Sequence, residues 1–172
     1  FNKSPKLLLT LIRCIKAMRN LLSLVFFLTT ITQAQNMELP FKEIPAYPAS
    51  YSAGNVVVRI IDGLGYRSYW ATDGLRSEDL EYRPSEDGRT ALETLKHLFG
   101  LSETILNATK NAPNIRPYNI PNHSFETLRK LTLNNLKEAS TLLQDKTGED
   151  LEQLNITYLR GDTKSDFSFW HM

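Results

Sequence analysis

Cysteine is almost missing from this 172-residue chain: Cys14 stands alone. It falls in a leader-like stretch, so the part that follows has no thiol nucleophile and can form no internal disulfide. An exported domain without disulfides suits a bacterial envelope better than an animal extracellular space. Histidine is nearly as scarce, with His97, His123 and His171 the whole complement. None of H-x-x-x-H, H-E-x-x-H or C-x-x-C occurs, so no complete metal site can be read from local spacing. Gly63 and Gly65 form G-x-G but lack the third glycine of the dinucleotide fingerprint, and they sit in a helical pattern that follows no strand. Internal repeats and low-complexity tracts are absent too.

Long apolar runs are also lacking. Leu21–Ile31, "LLSLVFFLTTI", falls short of the ~20 apolar residues that span a bilayer, and Arg13, Lys16 and Arg19 keep it from extending. A basic start at Met18-Arg19-Asn20 precedes the run, and Thr32-Gln33-Ala34 supplies small residues before Gln35. The pattern predicts a secretory signal peptide within residues 1–34, with a transmembrane anchor as the competing reading. Met18 then reads as the natural start, and a chain that opens on Phe1 and closes on aromatics reads as a piece of a longer product.

Removing the leader changes the charge. The chain has 20 Lys+Arg and 19 Asp+Glu, and the first 34 residues hold five of the former and none of the latter. What remains is 15 basic against 19 acidic residues, a net charge of −4. A mildly acidic domain without a Lys/Arg stripe is a poor partner for nucleic acid. About 138 residues are left, enough for one domain with a sizeable core.

Residues 35–52 carry Pro40, Pro45 and Pro48 with Phe41 and Tyr47 between them, which predicts an extended segment lying over a surface. A helical domain is expected over 53–172. Val57, Ile60, Ile61 and Leu64 form the apolar stripe of its first helix. Gly63 and Gly65 inside that helix suggest a close helix–helix approach or a kink, since each costs about 1 kcal/mol relative to Ala. Thr90 with Glu93 three residues on is a capping box that starts a second helix, ended by Asn111-Ala112-Pro113. Asn122 or Ser124 caps a third, carrying Phe125, Leu128, Leu131, Leu136, Ala139 and Leu143. Leu151–Tyr158 fits a short strand or an irregular connector equally well. Asp166–Met172, "DFSFWHM", is expected to open another helix. Amphipathic helices of this kind must pack together, so the predicted fold class is all-α, a four-helix bundle incomplete at its last helix. Such a gap would leave an apolar groove, and a leader helix around Leu7–Ile31 is expected either to project freely or to fill it.

The candidate chemistry is sparse. His97, in "ETLKHLFG", stands on or beside the apolar stripe of the second helix, as a packed core histidine or as a metal ligand. His123 reads as an exposed residue near a helix start, and His171 cannot be placed. Arg67, among Tyr66, Tyr69 and Trp70, either binds an anion or pairs with a carboxylate at an aromatic bundle end. Asp162 and Asp166 read as cap or turn residues.

Several segments taken in order resemble the DinB-like (DinB/YfiT) superfamily over about Ala46–Met172. They are the aromatic-Trp segment "YRSYWATDGL", the loop "DLEYRPSEDGRT", the helix "ALETLKHLFGLSETI" with its single histidine, and the aromatic "FSFWHM". The likeness is greatest to exported members of Bacteroidetes-type bacteria. It implies a four-helix bundle with a divalent metal, Zn or Ni, held by a second-helix histidine and by last-helix histidines. Only His97 has a counterpart here; the other ligands would lie past Met172. Relatives of that superfamily include thiol-dependent S-transferases and isomerases, and a metal-dependent transferase or hydrolase of the periplasm or envelope is one expectation. The other is a non-catalytic envelope binding or scaffold protein in which His97 is structural. Expected partners are a small-molecule substrate and a second copy of the chain, with the membrane reached only through an uncleaved signal peptide.

Overall fold

The computed structural model describes residues 15–16, 18–19, 38–117 and 122–172. The chain divides into two units, Phe1–Glu38 and Leu39–Met172. In the first, Ile15, Lys16, Met18 and Arg19 are helical and exposed. The signal-peptide expectation and the placement of Leu7–Ile31 otherwise lie outside the described residues.

The second unit holds three long helices, two single-turn helices and a small sheet among its described residues. In order they are α1 (Ala53–Ala71), α2 (Ser77–Glu81), α3 (Ala91–Thr109), β1 (Asn114–Arg116) and α4 (Phe125–Leu143). Then come α5 (Gly148–Glu152), β2 (Asn155–Arg160), β3 (Thr163–Ser168) and a closing 3-10 turn, Phe169–His171. The all-α four-helix bundle is therefore corrected to a mixed α/β fold. β2 runs parallel to β1 and antiparallel to β3, with Tyr158 opposite Asn114 on one side and Ser165 on the other.

The expected last helix fails for a local reason. Gly161-Asp162 is a two-residue loop with positive φ at the glycine alone, 56°, the pattern of a II′ hairpin turn. Once that turn closes, the chain from Thr163 to Ser168 continues as a strand, which the branched Thr163 and aromatic Phe167 favour. Thr157 Oγ1 donates to the Asp166 carboxylate across the pair at 2.5 Å, and Lys164 joins the same carboxylate at 2.9 Å. The "DFSFWHM" segment is thus half strand and half 3-10 turn.

The helix starts follow capping chemistry. Ser52, Thr90 and Ser124 each accept from the backbone N–H three residues on, and Glu93 returns the bond to Thr90 N–H at 2.7 Å. α4 is the hub, packed on α1 along one side and on α3 along the other. Leu133, Leu136, Ala139 and Leu143 of α4 meet Val58 and Ile61 of α1 and Leu106 of α3 in one apolar cluster. Each such leucine contributes about 1.5–3 kcal/mol through burial.

The face that α1 buries is rotated from the expected stripe. Gly54, Asn55, Val58, Ile61, Asp62 and Gly65 are buried, whereas Ile60 and Leu64 are exposed. Small residues decide this, because they admit backbone where a branched side chain would not fit. Gly65 takes the ring of Phe41, which comes from the extended segment and not from a helix. Phe41 adopts φ 70° to deliver that ring and is only 5% exposed, so its burial offsets an unfavourable backbone.

Gly54 N–H donates to the Lys146 carbonyl at 2.9 Å, and a Cβ there would strike the Leu143 carbonyl and the Lys146 backbone. Gly54→Ala is expected to cost about 2 kcal/mol or more through overpacking. Gly148→Ala, with nothing within 4 Å, is expected to change stability by about 1 kcal/mol at most, in the stabilising direction. Urea denaturation of the two variants beside the parent checks both.

Candidate functional site

A cleft of about 380 Å³ lies between the proline-rich segment and the α1/α4 pair. Helical spacing builds its walls. Val58 and Asp62 are one turn apart on α1, and Lys137, Ser140 and Thr141 share one face of α4, with Gln144 just past its end. The roof is Pro45–Ala49, whose prolines restrict the backbone. Arg59 clamps it to α1, donating to the Pro45 carbonyl at 2.9 Å while its guanidinium sits 4.4 Å from the Tyr47 ring centre. Further back, Trp70 Nε1 donates to the Lys42 carbonyl at 3.1 Å.

The floor of this cleft is an aspartate. Asp62 is 2% exposed, and its Oδ1 accepts from Ser140 Oγ at 2.7 Å. Among the described residues it accepts no other hydrogen bond and joins no ion pair. A buried carboxylate is costly unless paired or fully hydrogen-bonded, so one accepted bond leaves much of its capacity unused. Lys137 lines the same cleft, also without an ion pair among the described residues. A second void, about 20 Å³ beneath Arg129, has room for one water at most.

The sequence-derived candidates do not converge. His97 is exposed, so the packed-core reading fails. Phe99, two residues on and therefore about 200° round the helix, is buried and meets the His123 ring nearly perpendicularly, with centroids 6.0 Å apart. His97 thus looks away from that pair. His123 is half-buried where exposure was expected, and His171 lies in the closing turn, 5.6 Å from the Phe167 ring. Among the described residues no three His, Cys, Asp or Glu side chains come together as a metal set. Of the Zn or Ni site implied by the resemblance, the described residues hold one ligand, His97.

Arg67 forms no ion pair among the described residues. Arg129 of α4 takes that place at the aromatic end of α1. It stacks 4.6 Å from the Tyr69 ring centre and donates to Thr72 Oγ1, the Tyr69 carbonyl and the Asp73 carboxylate at 2.8–3.1 Å. These bonds cap the carbonyl end of α1, which makes Arg129 a structural cation. Asp162 lies in the hairpin turn, and Asp166 is engaged on β3.

Asp62 escapes a reading of the sequence because Val57, Ile60, Ile61 and Leu64 point to the neighbouring face of α1. A usable signal is present: Asp62 follows Val58 by four residues on the row that Gly54 and Gly65 flank, where an acid is out of place. No family model, curated protein or solved structure matches the chain.

A second titratable group, Glu103, stands in the second half of α3. Burial pushes the Glu103 carboxyl above its usual value of 4.5, against the opposing pull of Arg116 and His123. The folded state then holds this proton more tightly than the unfolded chain. Its stability contribution is full below 4.5 and is lost as pH rises through the raised folded value. Glu103→Gln is expected to flatten that part of the profile and to raise the melting temperature at neutral pH relative to the parent. Thermal melts from pH 4 to 8 check it, and an unchanged profile would contradict the assignment.

Proposed function

We propose that this protein is a non-catalytic binding protein of the bacterial envelope, which takes a small polar molecule into the Asp62 cleft. One observation carries the reading: a carboxylate 2% exposed, with a single hydrogen bond, on the floor of a space of about 380 Å³. That size falls within the ~300–1,000 Å³ of small-molecule sites. The leader pattern at Met18–Ala34 supports export. Catalysis has weaker support. Ser140 already donates to Asp62, and none of the three histidines lines the cleft to activate a hydroxyl.

A second reading, divalent-metal binding by a DinB-like protein, is favoured by one feature. The His97 imidazole is exposed and forms no hydrogen bond among the described residues, so it is free to ligate. The ion's other ligands would come from outside the described residues. Under this reading the full-length protein, with those further ligands, retains Zn or Ni and its His97→Ala variant loses it; equal metal content in the two refutes it.

For the cleft, the measurement is an amide NMR spectrum recorded with pools of amino acids, polyamines, sugars and carboxylates. At least one pool is expected to move the amides of Ala46, Tyr47, Ala49 and 137–144 and to raise the melting temperature by several degrees at ligand well above its dissociation constant. Asp62→Asn keeps the acceptor for Ser140 and is expected to abolish both effects. Silence from every pool would refute ligand binding at this cleft.

A further inference from the structure

The two charged groups of the cleft have opposite signs and are not paired with each other. Asp62 is on its floor, from α1, and Lys137 is on its α4 wall, one turn before Ser140. No ion pair within 4 Å involves either side chain among the described residues. Opposite charges lining one polar space normally close on each other when the geometry allows it. Here they are held apart by their helices, and each is left with unused hydrogen-bonding capacity: acceptor lone pairs on Asp62, three donors on the Lys137 ammonium. Ser140, Thr141 and Gln144 line the same wall with neutral donors and acceptors, and Tyr47 supplies an aromatic surface at the roof.

We propose that the cleft selects zwitterions, small molecules carrying both an ammonium and a carboxylate, as free amino acids and short peptides do. The ammonium lies against Asp62 and shares its carboxylate with the Ser140 hydroxyl. The ligand carboxylate meets Lys137. A cation alone would leave Lys137 uncompensated beside the bound charge, and an anion alone would be repelled by the buried carboxylate. The two-point demand also fixes orientation, because exchanging the ends places like charges together. The proposal rests on the reading that this cleft binds a ligand at all.

The test uses the full chain, with the ω-amino acids from glycine to 6-aminohexanoate as probes. Alkylammonium ions and alkanoates of matching length serve as single-charge controls. One member of the ladder is expected to shift the cleft amides and to bind at least about tenfold more tightly than either control. Asp62→Asn and Lys137→Met are each expected to weaken it about tenfold or more, and melts of both variants report whether the fold is kept. If an alkylammonium ion binds as tightly as the zwitterion and Lys137→Met has no effect, the zwitterion proposal fails while ligand binding at the cleft stands. Tighter binding of an alkanoate has the same consequence. If no member of the ladder shifts the cleft amides, the proposal is overturned, and the broader pools then decide separately whether the cleft binds anything.

Discussion

The rest of the fold hangs on the docking of the first turn of α1 against the last turn of α4. Asn55, 2% exposed, donates from Nδ2 to Asp145 Oδ1 at 2.8 Å and accepts from Asp145 N–H at 3.0 Å. Asp145 holds φ 58° to present both groups, a conformation Asp tolerates better than most residues. Asn55 also donates to Ser50 Oγ at 3.0 Å, which ties the end of the proline-rich segment into the same knot. Asn55 is buried with its amide engaged on both sides, while Asp145 and Ser50 reach it from the exposed rim, so the pairing is specific in register as well as in partner. A slip of α1 by one residue would break all of them and would place a side chain where Gly54 now meets Leu143.

The consequences of that register run outward. It sets Val58 and Ile61 against Leu136 and Leu143, and one turn later it places Asp62 opposite Ser140. It also turns Val56, Ile60 and Leu64 outward, leaving an exposed apolar row along α1. The proline-rich segment closes over the seam, pinned by Phe41 on Gly65 at one end and by Arg59 beneath Tyr47 at the other. The cleft is the space left between a roof anchored at two points and a floor made by two helices.

How much of this the sequence discloses depends on the kind of interaction. Local chemistry is legible. Ser124 and the Thr90–Glu93 box mark helix starts because their bonds span three residues, and the alternation at Ile156 and Tyr158 keeps a strand in play. Non-local choices are not legible. The wide apolar surface of α1 offers more than one face, and the buried one is selected by glycines whose partners, Phe41 and Leu143, are distant in sequence. His97 misleads for the same reason: its neighbours Leu101 and Ile105 form the more exposed flank of α3, while Phe99, Ser102 and Leu106 form the buried one. The last segment suggests a helix because aromatic composition alone does not reveal that a glycine turn will pair it with β2.

The bond from Trp70 to the Lys42 carbonyl gives this architecture an optical readout. The chain has two tryptophans, and Trp170 is 93% exposed, so its emission is that of an indole in water whatever happens at the cleft. Trp70 is half-covered and tethered to the same segment that forms the roof. A change in the roof alters the shielding of one indole and leaves the other as an internal reference. Quenching by a small neutral molecule such as acrylamide would then separate the two populations and follow the roof without any added label.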